Sequence, residues 1–167
     1  IVLAGDSAGG YLAAMVGLRA KDLKLPLPAG HVLIAGMYEM TTDKVAAAGF
    51  VSDVLFGPAV IDFLLRLLTK NGQVEAPSVT DGDLTGLGRC LIQVGSHEAL
   101  RHDAELLAEK LQEAKVEHWL QIWDQAPHVF QVGADVLPDA RLALAEIASF
   151  IAWVTSSPEQ SAEFGAA

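Results

Sequence analysis

The stretch Gly5-Asp6-Ser7-Ala8-Gly9-Gly10 limits what this chain can fold into more than any other part of it. It is entered from the apolar run Ile1-Val2-Leu3-Ala4. It leads into Tyr11, Leu12, Met15, Val16 and Leu18, which recur on one face at helical spacing. A strand, a tight turn and a helix must therefore follow one another within a few residues, and only small neighbours let the backbone fold so closely; Gly5 and Gly9 meet that need. The serine at the apex is then held clear of the sheet, as in a nucleophile elbow. The alternative for such a stretch is a glycine-rich turn opening a buried helix or cradling a phosphate. Neither a Gly-x-Gly-x-x-Gly nor a Walker pattern accompanies it.

With 167 residues, 51% of them hydrophobic, the chain is long and apolar enough for one folded domain with a sizeable core. Its net charge of -10, with 11 Lys and Arg, speaks against a nucleic-acid or anionic-membrane surface. Cys90 is the one cysteine, set in an apolar run, and reads as a buried structural thiol in a cytoplasmic protein. No apolar run has transmembrane length, and no signal-peptide pattern is present. The sequence starts at Ile1 inside what reads as a central strand, so an upstream part is expected.

After the first helix, residues 21–30 carry charges, Pro26, Pro28 and Gly30, and read as a surface connection. His31–Gly36 reads as a parallel strand covered on both faces. Residues 37–54 have no clear period and read as a loop or short helix. Residues 59–70 place Val60, Phe63, Leu64, Leu67 and Leu68 on one helical face, with Asn71-Gly72 closing the segment. A turn-rich approach over 73–89 leads to a strand at Cys90–Gly95, then a helix from Ala104 to about Lys115. A strand at His118–Trp123 and a helix over about Asp139–Val154, with Leu142, Leu144, Ile147, Phe150, Ile151 and Val154 as apolar positions, complete the alternation. The pattern predicts an α/β fold with a parallel sheet and helices on both faces, over residues 1–155, and a polar, frayed tail over 156–167.

A serine hydroxyl needs a base to take its proton and a third group to orient that base. Polar candidates lie beyond strand carboxyl ends, where open parallel sheets bind ligands. In the order nucleophile, acid, base, the chain offers Ser7, Glu98 and His128. The rival histidines His31, His97, His102 and His118 read as packing or surface residues. Of the rival acids, Asp103 reads as a helix N-terminal carboxylate favoured by the dipole, and Asp124 as a solvated charge. The Ala8 N–H is the first expected oxyanion-hole donor; the second would come from upstream, because no His-Gly-Gly-Gly occurs here. Met37, Tyr38, Phe50, Phe56 and Phe63 are candidates to line a substrate pocket or to fill the core.

Taken together, Gly5–Gly10, the acid loop Gly95-Ser96-His97-Glu98-Ala99-Leu100-Arg101-His102-Asp103 and His128-Val129-Phe130-Gln131 resemble the hormone-sensitive-lipase-like carboxylesterases, the bacterial family IV esterases. The family's acid is followed by Leu two positions on and by Asp about five on. That maps onto Glu98, Leu100 and Asp103. The resemblance implies the C-terminal portion of an α/β-hydrolase fold, no cofactor or metal, and hydrolysis of small carboxylic esters with short acyl chains. It further implies an upstream segment carrying the oxyanion loop, the first strands and part of a cap. A rival reading, from the unpaired edge that truncation would leave on strand 1–4, is a fragment inactive alone that pairs with an upstream segment, a partner polypeptide or, in a homo-oligomer, a second copy. The chain departs from the family at Ala35-Gly36-Met37-Tyr38-Glu39, where a Ser-Pro-Trp-x-Asp-like stretch is common, and at Ala126-Pro127, where glycine commonly precedes the histidine.

Overall fold

The computed structural model describes residues 1–40 and 76–156, together with 53, 55, 60, 63, 69–70 and 73–74. Four strands make one parallel sheet in the order β1-β2-β5-β6: β1 is Val2–Asp6, β2 Gly30–Ile34, β5 Arg89–Gly95 and β6 His118–Trp123. β3 (Thr69–Lys70) and β4 (Gln73–Val74) pair antiparallel with each other. The register runs straight across the main sheet, Asp6 beside Ile34, Ile34 beside Gln93, and Gln93 beside Gln121. All carboxyl ends therefore share one edge. The near-continuous apolar runs of β2 and β5 follow from cover on both faces.

The helices are α1 (Ala8–Asp22), α2 (Arg101–Glu113) and α3 (Pro138–Thr155). α1 and α2 lie on one face. There Ala13, Ala14, Leu18, Leu107 and Leu111 join Leu33, Cys90, Ile92 and Val94 in the main core. α3 covers the other face, where Phe150 and Val154 pack on Val32 and Leu91. Its first turn opens with Pro138, whose missing N–H costs nothing at a helix start. The fully buried Phe150 ring meets Trp119 edge-on, centroids 6.0 Å apart, a geometry that adds to its apolar burial. Burial pushes the Cys90 thiol up to about 12, so it is an inert packing group, as its apolar setting predicts.

Three expectations change. On α1 the buried positions are Gly10, Ala13, Ala14, Gly17 and Leu18, whereas Leu12 and Val16 are 59% and 52% exposed. Small residues win this face because they let the helix lie close. The His31 ring fills the notch over Gly17, and a methyl there would collide with it. On α3, likewise, Leu142 and Leu144 are exposed and Ala140 and Ala143 are buried. Thr69–Lys70 is a strand, paired with Gln73–Val74, rather than the end of a helix. Val60 and Phe63 are helical but exposed. Leu64, Leu67, Leu68, Phe50, Phe56 and the tail over 157–167 lie outside the described residues, as do 41–52.

Candidate active site

Ser7 is the first residue past β1. Its N–H donates to the Ile34 carbonyl at 2.9 Å, and its backbone sits at φ 51, ψ -120. A positive φ in a residue with a Cβ is strained and persists only where surroundings enforce it. The enforcing contact is close by. A Cβ on Gly5 would run into the Gly9 carbonyl, and one on Gly10 would come within 3.1 Å of the Gly36 Cα and 3.2 Å of the Tyr38 hydroxyl. Nothing lies within 4 Å of a Cβ at Gly9. The requirement for small neighbours thus falls on Gly5 and Gly10, not on Gly9 as the motif alone implies. Gly5→Ala should lower stability by about 1–3 kcal/mol through overpacking against backbone. Gly9→Ala should raise it by about 0.5–1 kcal/mol through helix propensity. Thermal melts of the two variants check the contrast.

Ser7 occupies the N-cap position of α1, where a serine ordinarily turns its oxygen onto a helix N–H; here it makes no such bond. Ala8 is the first residue of α1, so its N–H has no carbonyl one turn back to bond.

Glu98 follows β5 and His128 follows β6, each in the loop leaving the carboxyl edge. Glu98 Oε2 accepts the Gly95 N–H at 3.3 Å, and Oε1 lies 3.7 Å from His128 Nδ1. That separation is longer than a hydrogen bond and within ion-pair reach; such contacts often shorten when substrate binds. Glu98 is 2% exposed and His128 7% exposed. A carboxylate so deep in the protein requires a partner, and the imidazole is the one that faces it. The two loops are joined by two backbone–backbone bonds and one from backbone to the Ser96 hydroxyl. Ser96 N–H donates to the Trp123 carbonyl at 2.8 Å, Gln125 N–H to Ser96 Oγ at 2.7 Å, and His97 N–H to the Ala126 carbonyl at 3.3 Å. A Cβ at Gly95 would strike the Ala126 carbonyl, which is why the loops can close so tightly.

The rivals have other work. His97 Nδ1 is 3.0 Å from Ser96 Oγ, His118 Nδ1–H donates to the Val116 carbonyl, and His102 is exposed. His31 is fully buried in β2, and burial lowers its pKa, keeping the ring neutral. Asp124 is exposed, and its Oδ1 sits 3.5 Å from Ser96 Oγ. Asp103 departs from expectation. It stands in the first turn of α2, but it is buried, and its Oδ2 accepts both the Tyr38 N–H at 2.8 Å and the Glu39 N–H at 2.9 Å. Burial pushes its carboxyl up to about 6, with the Glu39 charge adding to the shift and the two N–H bonds opposing it.

Glu39 is itself buried and accepts the hydroxyls of Ser78 and Thr80 at 2.8 and 2.9 Å. This stretch after β2 is where the chain departs from the family pattern, and it supplies a structural anchor. Met37 and Tyr38, candidates for the pocket, are core residues here, and Phe63 is exposed. A pocket of about 200 Å³ instead adjoins the His128 loop, lined by Asp124, Pro127, Phe130, Leu137, Pro138 and Asp139 among others. Sequence reasoning also missed Asp53. Its Oδ2 accepts the Ala99 N–H at 2.8 Å, tying a residue distant in sequence to the position next to Glu98. A lone aspartate in an aperiodic stretch carries no signal that would reveal such a contact.

An all-parallel sheet with helices on both faces, and a strand-to-helix serine at its carboxyl edge, define an α/β hydrolase. A family model described as alpha/beta hydrolase fold matches residues 1–132, and the chain belongs to that family. Within it, the chain falls among the hormone-sensitive-lipase-like esterases. The chain is 35% identical over 163 residues to the esterase LipU of Mycobacterium tuberculosis, covering 90% of this chain and 54% of the relative. It is 33% identical over 175 residues to the carboxylesterase/phospholipase LipF of the same organism, covering 96% of this chain and 45% of LipF. A crystal structure of a hormone-sensitive lipase from a metagenome library superposes with a TM-score of 0.85 at 34% identity, over 93% of this chain and 54% of that one. The chain spans about half the length of the curated relatives it matches.

Proposed function

We propose that this chain is the carboxyl-terminal part of a serine carboxylesterase that hydrolyses short-chain carboxylic esters through an acyl-enzyme. Ser7 is the nucleophile, His128 the base and Glu98 the acid. The observation that carries this reading is the serine at φ 51, its hydroxyl unspent as a helix cap, on the same sheet edge as the buried Glu98 and His128. The names of the esterase relatives and the three motifs support it.

In the mechanism, Ser7 Oγ attacks the ester carbonyl carbon while His128 takes its proton. The Ala8 N–H stabilises the oxyanion, and a second donor comes from an upstream segment. The tetrahedral intermediate collapses as His128 returns the proton to the departing alcohol, leaving an ester on Ser7. Water, activated by the same imidazole, attacks that ester and releases the acid. Glu98 holds the ring's orientation and stabilises the imidazolium. An alkyl p-nitrophenyl phosphonate tests this assignment: in a polypeptide of the relatives' length, mass spectrometry of the digest should find the adduct on the Ser7 peptide, and His128→Ala should suppress it. An adduct elsewhere sinks the assignment.

A second reading has its own support in the half-length coverage of the relatives. In it, the 167 residues alone are catalytically incompetent and depend on an upstream segment or partner chain. Turnover by the isolated chain as a compact monomer removes that reading; turnover only after the upstream half is added back establishes it.

A further inference from the structure

We propose that Gln131, gripped by Gln93, is a positioning residue that locks the turn carrying His128. The inference rests on the reading of His128 as the base. Gln93 sits in the middle of β5, fully buried, and Gln131 is buried three residues beyond His128. Gln131 Nε2 donates to Gln93 Oε1 at 2.9 Å. Gln93 Nε2 donates to Gln121 Oε1 at 2.8 Å and to the Ala143 carbonyl of α3 at 3.0 Å. Gln121 Nε2 then donates to Glu146 Oε2 at 3.2 Å.

The orientation of each amide is forced. The Ala143 carbonyl can only accept, so the nitrogen of Gln93 faces it and the oxygen faces Gln131. Every dipole in the row Gln131, Gln93, Gln121 then points one way and ends on a carboxylate, an alignment in which each bond strengthens the next.

The turn it holds requires restraint. Val129, next to His128, is β-branched and left-handed, with φ 50 and ψ 42. The Phe130 ring seats the turn in the apolar cluster of Ala126, Ala140 and Ala143, which fixes depth without fixing direction. Only a directional bond sets the rotation of the turn, and Gln131 makes one, to Gln93 in β5. Among the described residues Gln131 Oε1 is buried without a partner, so the side chain is retained for its donor at the expense of its acceptor. An apolar side chain of the same length would fill the space without that defect. The amide's distinct contribution is therefore orientation.

The test uses Q131M, Q131E and the double variant Q93M/Q131M in the polypeptide restored to the relatives' length. Q131E keeps the shape and removes the donor. Both single variants should lower kcat for p-nitrophenyl butyrate by about tenfold to a hundredfold with KM within about twofold, as expected when a catalytic group is displaced by about an ångström. The double variant, which also deprives Gln121 Oε1 and the Ala143 carbonyl of their donor, should regain neither the parental melting temperature nor the parental kcat. Recovery of both overturns the proposal, and so does kcat within about twofold of the parent in the singles. The imidazole ring resonances of His128 supply a readout without substrate: one sharp set in the parent, broadened in Q131M. Unchanged resonances overturn the clamp. Undiminished turnover in His128→Asn removes the base assignment, and a broadened signal in Q131M then still upholds the clamp.

Discussion

Ser7→Ala, in a polypeptide of the relatives' length, is expected to reduce kcat for p-nitrophenyl butyrate by about 10⁴-fold to 10⁶-fold with little change in KM, the loss typical when a serine nucleophile is deleted. The backbone is expected to stay in place. The positive φ is imposed by the Gly5–Gly9 approach and by the Ser7 N–H bond to Ile34, neither of which involves the hydroxyl. Ser7→Gly separates the two properties. Glycine adopts φ 51 without strain, so this variant should be equally inactive yet more stable by about 1–2 kcal/mol. Kinetics together with thermal melts of the two variants make the comparison. Residual turnover above about one per cent in either variant removes Ser7 as the nucleophile, and a Gly variant no more stable than parent contradicts the strain.

The second large effect is expected at Asp103. Asp103→Ala leaves two buried N–H groups, those of Tyr38 and Glu39, without their acceptor, and at about 1–3 kcal/mol each the loss should be about 2–6 kcal/mol. Asp103→Asn retains an acceptor oxygen and removes the repulsion from Glu39, so it should lie close to the parent near pH 4 and be the more stable of the two at pH 7. The two also differ in pH dependence. The folded carboxyl is raised from 3.8 to about 6, so the native state holds its proton more tightly than the unfolded chain. The stability from that proton is fully present below pH 4 and is lost as pH rises through 6; a shift of about 2 units corresponds to about 3 kcal/mol. Urea titrations from pH 4 to pH 7 should show this slope in the parent and not in Asp103→Asn. Equal slopes would rule out Asp103 as its source.

What the sequence discloses depends on whether a residue's role is set locally. β6 is read at its exact bounds, and β5 to within a residue, because strands flanked on both sides or packed on one long face present compact apolar runs between turn signals. Ser7, Glu98 and His128 are legible as candidates because each follows a strand, as the structure places them, and their order is the one the proposed chemistry requires. Hydrophobic periodicity misassigns the inner face of α1, since it weighs Leu12 and Val16 above Ala13, Ala14 and Gly17, whereas close packing against β2 selects small side chains. Asn71-Gly72 reads as a helix stop, and only the pairing of Thr69 with Val74 shows that the residue pairs flanking it are strands. The polar interior was not legible. Asp103 bonds residues 64 and 65 positions away, and Gln131 one 38 away, and no periodic pattern encodes a distant hydrogen bond.

The neck formed after β2 has an evolutionary corollary. Met40 N–H donates to Ser78 Oγ, Val79 N–H to the Tyr38 carbonyl, and Asp103 and Glu39 clamp the same two passages from either side. The passages leaving Met40 and returning at Ser78 are thus fastened to each other, and Asp53 adds a further tie, to the Ala99 N–H. Because closing a longer loop adds only about 0.6 kcal/mol per doubling, the length of chain between these two passages can change at little cost in closure entropy. On the esterase reading proposed above, substrate preference can then diversify by replacing a cassette rather than by rebuilding an enzyme.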